Sequence, residues 1–246
     1  MRYLIVSDIH ANWEGLQAVL GHAGGRYDRI VCCGDLVGYG ADPNAVIDWA
    51  RANVAAIVRG NHDKACAGLD NLLRLNPVAR AAALWTTNAL SAANLEYLKN
   101  LPKGPLAVDD FQIMHGAPID EDEYVLATTD VDLVRDDIRK PLTFFGHTHL
   151  QGGFFTSRNG TRKISQTPAG DDEQTVELWR DWLCLANPGS VGQPRDRDPR
   201  AAYMLYSPGE PELIYRRVTY DVAAAEQKIL KAGLPESLAH RLARGV

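Results

Sequence analysis

The stretch Val54-Ala55-Ala56-Ile57-Val58-Arg59-Gly60-Asn61-His62-Asp63 passes from small and β-branched apolar residues straight into a glycine, an amide, an imidazole and a carboxylate. An apolar run of this kind reads as a strand of a buried sheet, so the polar group falls just past its C-terminal end. Working outward, the same pattern recurs four times. Residues 3–6 lead to Asp8-Ile9-His10, residues 30–33 to Gly34-Asp35, residues 111–114 to His115-Gly116, and residues 142–145 to Gly146-His147-Thr148-His149. A shared strand direction would bring all five ends to one edge of a sheet, where open α/β folds place their ligand crevices.

The side chains that would meet there are carboxylates, imidazoles and one amide, with no thiolate. Such a set suits zinc, manganese or iron and does not fit cysteine-rich structural zinc. A carboxylate such as Asp35 has two oxygens with which to bridge two cations, holding them roughly 3.5 to 4 Å apart, a separation suited to phosphoryl chemistry. Of seven histidines, five (His10, His62, His115, His147 and His149) fall in these blocks, whereas His22 and His240 lie in helix-like stretches without partners. Glycines 34, 60, 116 and 146 each adjoin a candidate ligand, where backbone must turn sharply or come close to another group.

Taken together and in this order, the five blocks resemble those of calcineurin-like metallophosphoesterases, of the small bacterial and archaeal phosphodiesterase type, and the resemblance runs from Arg2 to about Ser207. It implies an α/β fold of two stacked mixed β-sheets flanked by helices, a four-layer sandwich. It also implies two divalent metal ions, with Asp8, His10 and His149 on one, Asn61, His115 and His147 on the other, and Asp35 between them. Manganese is the favoured metal, and iron, zinc, nickel or cobalt suit the same oxygen and nitrogen ligands. The implied activity is phosphodiester hydrolysis, in which a metal-bridging hydroxide attacks phosphorus. His62 would face the leaving-group or a phosphate oxygen, and Asp63 would orient that imidazole or cap the following segment.

The same metal core would serve a phosphomonoesterase or a serine/threonine protein phosphatase, and a non-catalytic scaffold is a third reading. Arg59 precedes Gly60 as it does in protein phosphatases, but residues 36–40 read Leu-Val-Gly-Tyr-Gly where those enzymes carry an aspartate and an arginine, which favours diesters. Tyr39 is a candidate to stack on or bond to a substrate group. The segment Asn187-Pro188-Gly189-Ser190 resembles a loop of the same phosphodiesterase branch, and Arg195, Arg197 and Arg200 beyond it carry forks suited to phosphate. The run Arg195-Asp196-Arg197-Asp198 also reads as a solvated loop, and so do the four consecutive acids at 120–123, whose alternative reading is that they select against polyphosphates or contribute charge behind the ligands.

The whole chain fits one metallophosphoesterase domain, 1–246. Its 246 residues and 46% hydrophobic content are enough to fill a core. A net charge of −5 argues against broad binding of nucleic acid or anionic membrane. Cysteines 32, 33, 66 and 184 show no Cys-x-x-Cys spacing and read as small core residues in a reducing compartment. With no eighteen-residue apolar run and no removable leader ahead of Asp8 and His10, the expected location is cytoplasmic. Beyond the early strand–helix alternation, a helical insert is expected at about 64–100, with Leu84, Leu90, Leu95 and Leu98 as its core stripe. A second, mainly antiparallel sheet is expected from 141 onward, with a hairpin and flexible tip over 157–172 and a helical tail over about 221–246. The phosphate-ester substrate and the oligomeric state are not specified by these residues.

Overall fold

The computed structural model describes residues 1–168 and 170–246. Twelve strands occur among them: β1 Tyr3–Val6, β2 Arg29–Cys32, β3 Val54–Ile57, β4 Leu106–Val108, β5 Phe111–Ile113, β6 Leu142–Phe144, β7 Gly152–Ser157, β8 Gly160–Ile164, β9 Glu173–Glu177, β10 Leu183–Asn187, β11 Ala201–Tyr206 and β12 Glu212–Val218. The helices are α1 Trp13–Ala23, α2 Pro43–Asn53, α3 Asn61–Cys66, α4 Pro77–Ala89, α5 Ala92–Lys99, α6 Thr128–Val134, α7 Val222–Lys231 and α8 Glu236–His240. The strands form two mixed six-stranded sheets, ordered β3-β2-β1-β11-β12-β9 and β4-β5-β6-β10-β7-β8.

The layering follows from side-chain alternation. In β1, Leu4 and Val6 join one buried cluster with Leu16 and Val19 of α1 and Val46 and Ile47 of α2, while Tyr3 and Ile5 turn the other way. There they meet Phe111, Ile113 and Phe144 of the second sheet, so the space between the sheets is filled from both sides. Val131 and Val134 of α6 pack with Phe154 and Leu185 on the outer face of the second sheet. Strands buried on both faces explain why these segments are apolar almost throughout. Each fully buried aliphatic side chain contributes about 1.5 to 3 kcal/mol.

The parallel pairs β1–β2 and β2–β3 are joined through α1 and α2. Asn12 caps α1 by accepting from the Gly15 amide, Pro43 opens α2, and Asn76 and Ser91 cap α4 and α5. In the second sheet β5 and β6 are also parallel. The five motif-bearing ends therefore belong to two stacked sheets, three to one and two to the other, where one shared sheet was expected.

Two further expectations are revised and a third is met in part. The strands at 173–177, 201–206 and 212–218 extend the first sheet by antiparallel pairing to β1, so the second sheet is not simply the C-terminal half. Of the proposed stripe only Leu98 is buried: Leu84 is 49% exposed, because α4 turns Ala79, Ala82, Ala83 and Thr86 inward instead. Within 157–172 the turn at Asn159 joins β7 to β8 as a hairpin, while Ala169 of the expected tip lies outside the described residues. The tail begins as its caps dictate, with Asp221 accepting from the Ala224 amide ahead of α7 and Pro235 preceding α8. No described helix is long and apolar enough to cross a membrane, and all four cysteines are free and buried.

Candidate metal centre

The strand ends of both sheets meet in one buried cluster. Ligand-type atoms of Asp8, His10, Asp35 and His149 all lie within 4.8 Å of one another, and those of Asp35, His115 and His147 do likewise. Asp35 belongs to both groups. Its Oδ2 lies 3.5 Å from His10 Nε2 and 3.4 Å from His115 Nε2, while its Oδ1 accepts from the His62 amide at 2.8 Å. Asn61 Oδ1 completes the second group, 3.1 Å from His115 Nε2.

The ring orientations are fixed by backbone carbonyls. Val37 O faces His10 Nδ1 at 3.0 Å, Cys33 O faces His115 Nδ1 at 2.8 Å, and Gln193 O faces His149 Nδ1 at 2.6 Å. A carbonyl only accepts, so each of these nitrogens carries a proton and each ring turns its Nε2 toward the centre. The Nε2 atoms of His10 and His149 stand 3.0 Å apart, two acceptors facing each other. His147 is held the other way round, with Nε2 donating to Asp122 O at 3.1 Å and Nδ1 left for the centre. Asp35 Oδ2 is buried without a hydrogen-bond partner among the described residues. Converging lone pairs and an orphaned carboxylate oxygen make a donor set that could hold metal ions.

The charge balance says the same. Burial opposes ionisation of Asp35, yet the imidazoles of His115, His62 and His10 hold it well below the usual carboxylate range. Burial also opposes a charge on His115, but Asp35 and Asp8 lift it to about 10. Burial pushes Asp8 up to about 7 and pulls His10 and His149 well below the usual imidazole range. His147 is brought down to about 3, mainly by burial. These buried oxygens call for positive charge at their focus.

Backbone geometry is strained at the same places. Asp8, His10, Asp35, His147 and His149 all have positive φ, between 48° and 66°. Non-glycine residues hold that conformation at a cost of order 1–3 kcal/mol each, tolerated where the surroundings over-determine it. Asp63 supplies part of that support: its carboxylate accepts from the amides of Asp35, Val37 and Gly60 at 2.9, 3.2 and 3.0 Å. Of the two roles expected for Asp63, the structure gives it the backbone one. Asn187 pins the other side, with Nδ2 donating to Gly146 O and Thr148 Oγ1. Gly60 has to be glycine, because a Cβ there would collide with Asp35 Oδ1.

His62 sits against the centre, its ring 4.3 Å from that of Tyr39 and edge-on to His10 at 5.0 Å. Burial holds it down at about 4, so at neutral pH it is a neutral imidazole. Arg195 lies over the Tyr39 ring at 5.7 Å, bonds Gln193 Oε1, and forms no ion pair among the described residues. Arg200 is committed to Asp198 and Asp172, and Asp196 pairs with the buried Arg217, so the arginine-rich run is largely a structural network rather than a solvated loop. Arg59 is engaged by Glu121 at 2.7 Å.

Two contributions to the rim depart from the first reading of the sequence. The acidic loop is not solvated throughout: Glu121 is buried, Asp122 O holds His147, and the Tyr124 ring stacks on His147 at 3.8 Å. Its position straight after His115-Gly116 was the available signal. The tail is the other, since Ile229 and Leu242 share a small cavity with His10 and Tyr39, and Gly245 O accepts from the Arg197 amide at 2.8 Å. No local pattern marks those residues.

A sandwich of two mixed sheets that carries two histidine-rich ligand groups sharing one aspartate, all at one strand-end edge, defines a metallophosphoesterase architecture. Residues 1–208 match the family model of the calcineurin-like phosphoesterase superfamily domain, and the chain belongs to that superfamily. An uncharacterised protein of Methanocaldococcus jannaschii is 35% identical over 252 residues, covering 98% of this chain and 97% of its own. The crystal structure of a metallophosphoesterase from Sphaerobacter thermophilus superposes with a TM-score of 0.86 at 38% identity, covering 100% of this chain and 99% of that one. A hypothetical protein from Pyrococcus horikoshii shares the fold, with a TM-score of 0.77 at 18% identity over 100% of this chain and 98% of its own.

Proposed function

We propose that this protein is a dinuclear metal-dependent phosphodiesterase. The observation that carries the reading is the double membership of Asp35, whose Oδ2 stands between His10 and His115 at the junction of the two ligand groups. Asp8, His10 and His149 would hold one cation, Asn61, His115 and His147 the other, with Asp35 shared. Bound there, two divalent ions would supply a nucleophile at neutral pH and neutralise charge on the phosphoryl oxygens. Manganese is the first choice for such oxygen and nitrogen ligands, with iron, zinc, nickel or cobalt as alternatives.

The chain's own residues then divide the remaining work. His62, neutral and next to the ligands, donates a hydrogen bond to a phosphoryl or leaving-group oxygen. Arg195, with no carboxylate partner among the described residues, reads a non-bridging oxygen, and the Tyr39 ring packs against both His62 and Arg195. Asp63 is a positioning residue that acts through the Asp35 backbone. Arg59, expected as a substrate ligand, is better assigned to anchoring the acidic loop. Preference for diesters is supported by the absence of an aspartate–arginine pair at 36–40 and by the engagement of Arg59. The free, buried thiols fit a reducing, cytoplasmic setting.

The test is turnover of bis(p-nitrophenyl) phosphate beside p-nitrophenyl phosphate, by metal-stripped protein with and without manganese. Manganese-dependent turnover favouring the diester is expected. A preference for the monoester would move the assignment to phosphatase, and silence with every added metal would revive the scaffold reading.

A further inference from the structure

The loop from Gly116 to Ala127 crosses from β5 to α6 and is fixed at both ends of its acidic stretch. Ala117 and Glu123 donate to Asp120 O, and Val125 is buried with Met114 and Phe145. Between these anchors it touches the centre twice at His147, through Asp122 O and the Tyr124 ring, which is 48% exposed. The same loop carries its charges toward α3. Glu121, only 5% exposed, places Oε1 2.7 Å from Arg59 and 3.5 Å from Lys64. Lys64 is further engaged by Asp122 at 2.7 Å and by Asp70 at 3.5 Å. Three carboxylates thus surround two cations, and both cations flank Asn61 in sequence.

The pair between Glu121 and Arg59 is one-sided. Glu121 Oε2 and Arg59 Nε are both buried without a partner among the described residues. Arg59 therefore spends one arm of its fork on Glu121, and that contact draws the guanidinium toward the acidic loop. By contrast Arg195, beside Tyr39, bonds only the neutral Gln193 and forms no ion pair among the described residues. One rim is consequently net negative and the other positive. A phosphate monoester carries close to two charges at neutral pH and would set its second charge against the negative rim, whereas a diester carries one and presents an uncharged ester arm there.

We propose that Glu121 is a specificity-determining residue: by holding Arg59 it withholds a second guanidinium from the site and disfavours doubly charged monoesters relative to diesters. This inference rests on the phosphodiesterase reading of the same centre. It works by penalising the competitor rather than by adding a contact to the preferred substrate.

The decisive comparison is the ratio of kcat/KM for p-nitrophenyl phosphate to that for bis(p-nitrophenyl) phosphate, measured in manganese-loaded wild type and Glu121→Gln. A ratio taken within one preparation is insensitive to the fraction that is folded and loaded. Releasing Arg59 should raise it about tenfold, chiefly through a lower monoester KM. The double variant Glu121→Gln with Arg59→Met should return the ratio to the wild-type value. Asp122→Asn, which loosens only Lys64, gives a second route should Glu121→Gln fold poorly, and should shift the ratio the same way by less. The same discrimination is read without turnover as affinity for inorganic phosphate against dimethyl phosphate. A wild type that prefers diesters combined with an unchanged ratio in both single variants would overturn the role of Glu121 alone. A wild type that prefers monoesters would overturn the phosphodiesterase reading and this inference with it.

Discussion

The floor and the rim of this centre are built by different means. On the floor the candidate ligands follow a strand or loop end by a few residues at most, and all but the half-buried Asn61 are buried; main-chain groups hold much of it, with carbonyls of Cys33, Val37 and Gln193 on the rings and amides of Asp35, Val37 and Gly60 on the supporting Asp63. On the rim the groups come from an acidic loop and a C-terminal tail, meet through ion pairs and ring contacts as well as main-chain bonds, and range from the buried Glu121 and Leu242 to the half-exposed Tyr124. The floor is over-determined and should respond to change by losing metal. The rim is adjustable and should respond by changing selectivity.

The largest effects should follow from attacking the floor where it is shared. Asp35→Ala should remove both cations and lower turnover by on the order of a thousandfold or more, checked by metal analysis beside the rate. Gly60→Ala should come close to it, because the added methyl displaces the same carboxylate; retention of two metals and near-native rate in that variant would contradict the packing described. His62→Ala separates chemistry from binding on the floor itself. It should keep both metals and lose about a hundred- to ten-thousandfold in rate.

The five polar blocks were legible because a metal site dictates residue type, and a strand end dictates where such residues stand, so type and spacing both show in the chain. Asn12, Ser91 and Asp221 cap their helices through local hydrogen bonds and Pro43 opens α2 with its fixed φ, so those starts depend on neighbouring residues alone. What stayed hidden depends on distant partners. Strands β9, β11 and β12 could not be assigned to the first sheet, because antiparallel pairing of Tyr3 with Tyr206 leaves no trace in either segment alone. The burial of Glu121 depends on Arg59, 62 positions away, and nothing in Leu242 predicts its closeness to His10.

Smaller effects probe the support and the rim. Asn187→Ala loosens the loop that carries His147 and His149, and should weaken metal affinity by about ten- to a hundredfold while leaving the protein folded; equilibrium dialysis with manganese would read it. Leu242→Ala should cost about 2 to 3 kcal/mol of stability by opening a cavity between tail and core, seen in denaturant unfolding, with metal content preserved. A loss of metal in that variant would mean that the tail belongs to the floor.

The central claim is that Asp35 joins two cation sites into one. Electron paramagnetic resonance of the protein titrated with manganese tests it directly. The structure predicts a spin-coupled pair at two equivalents, lost in Asp35→Ala; an uncoupled six-line spectrum at saturation, or binding that stops at one equivalent, would contradict it.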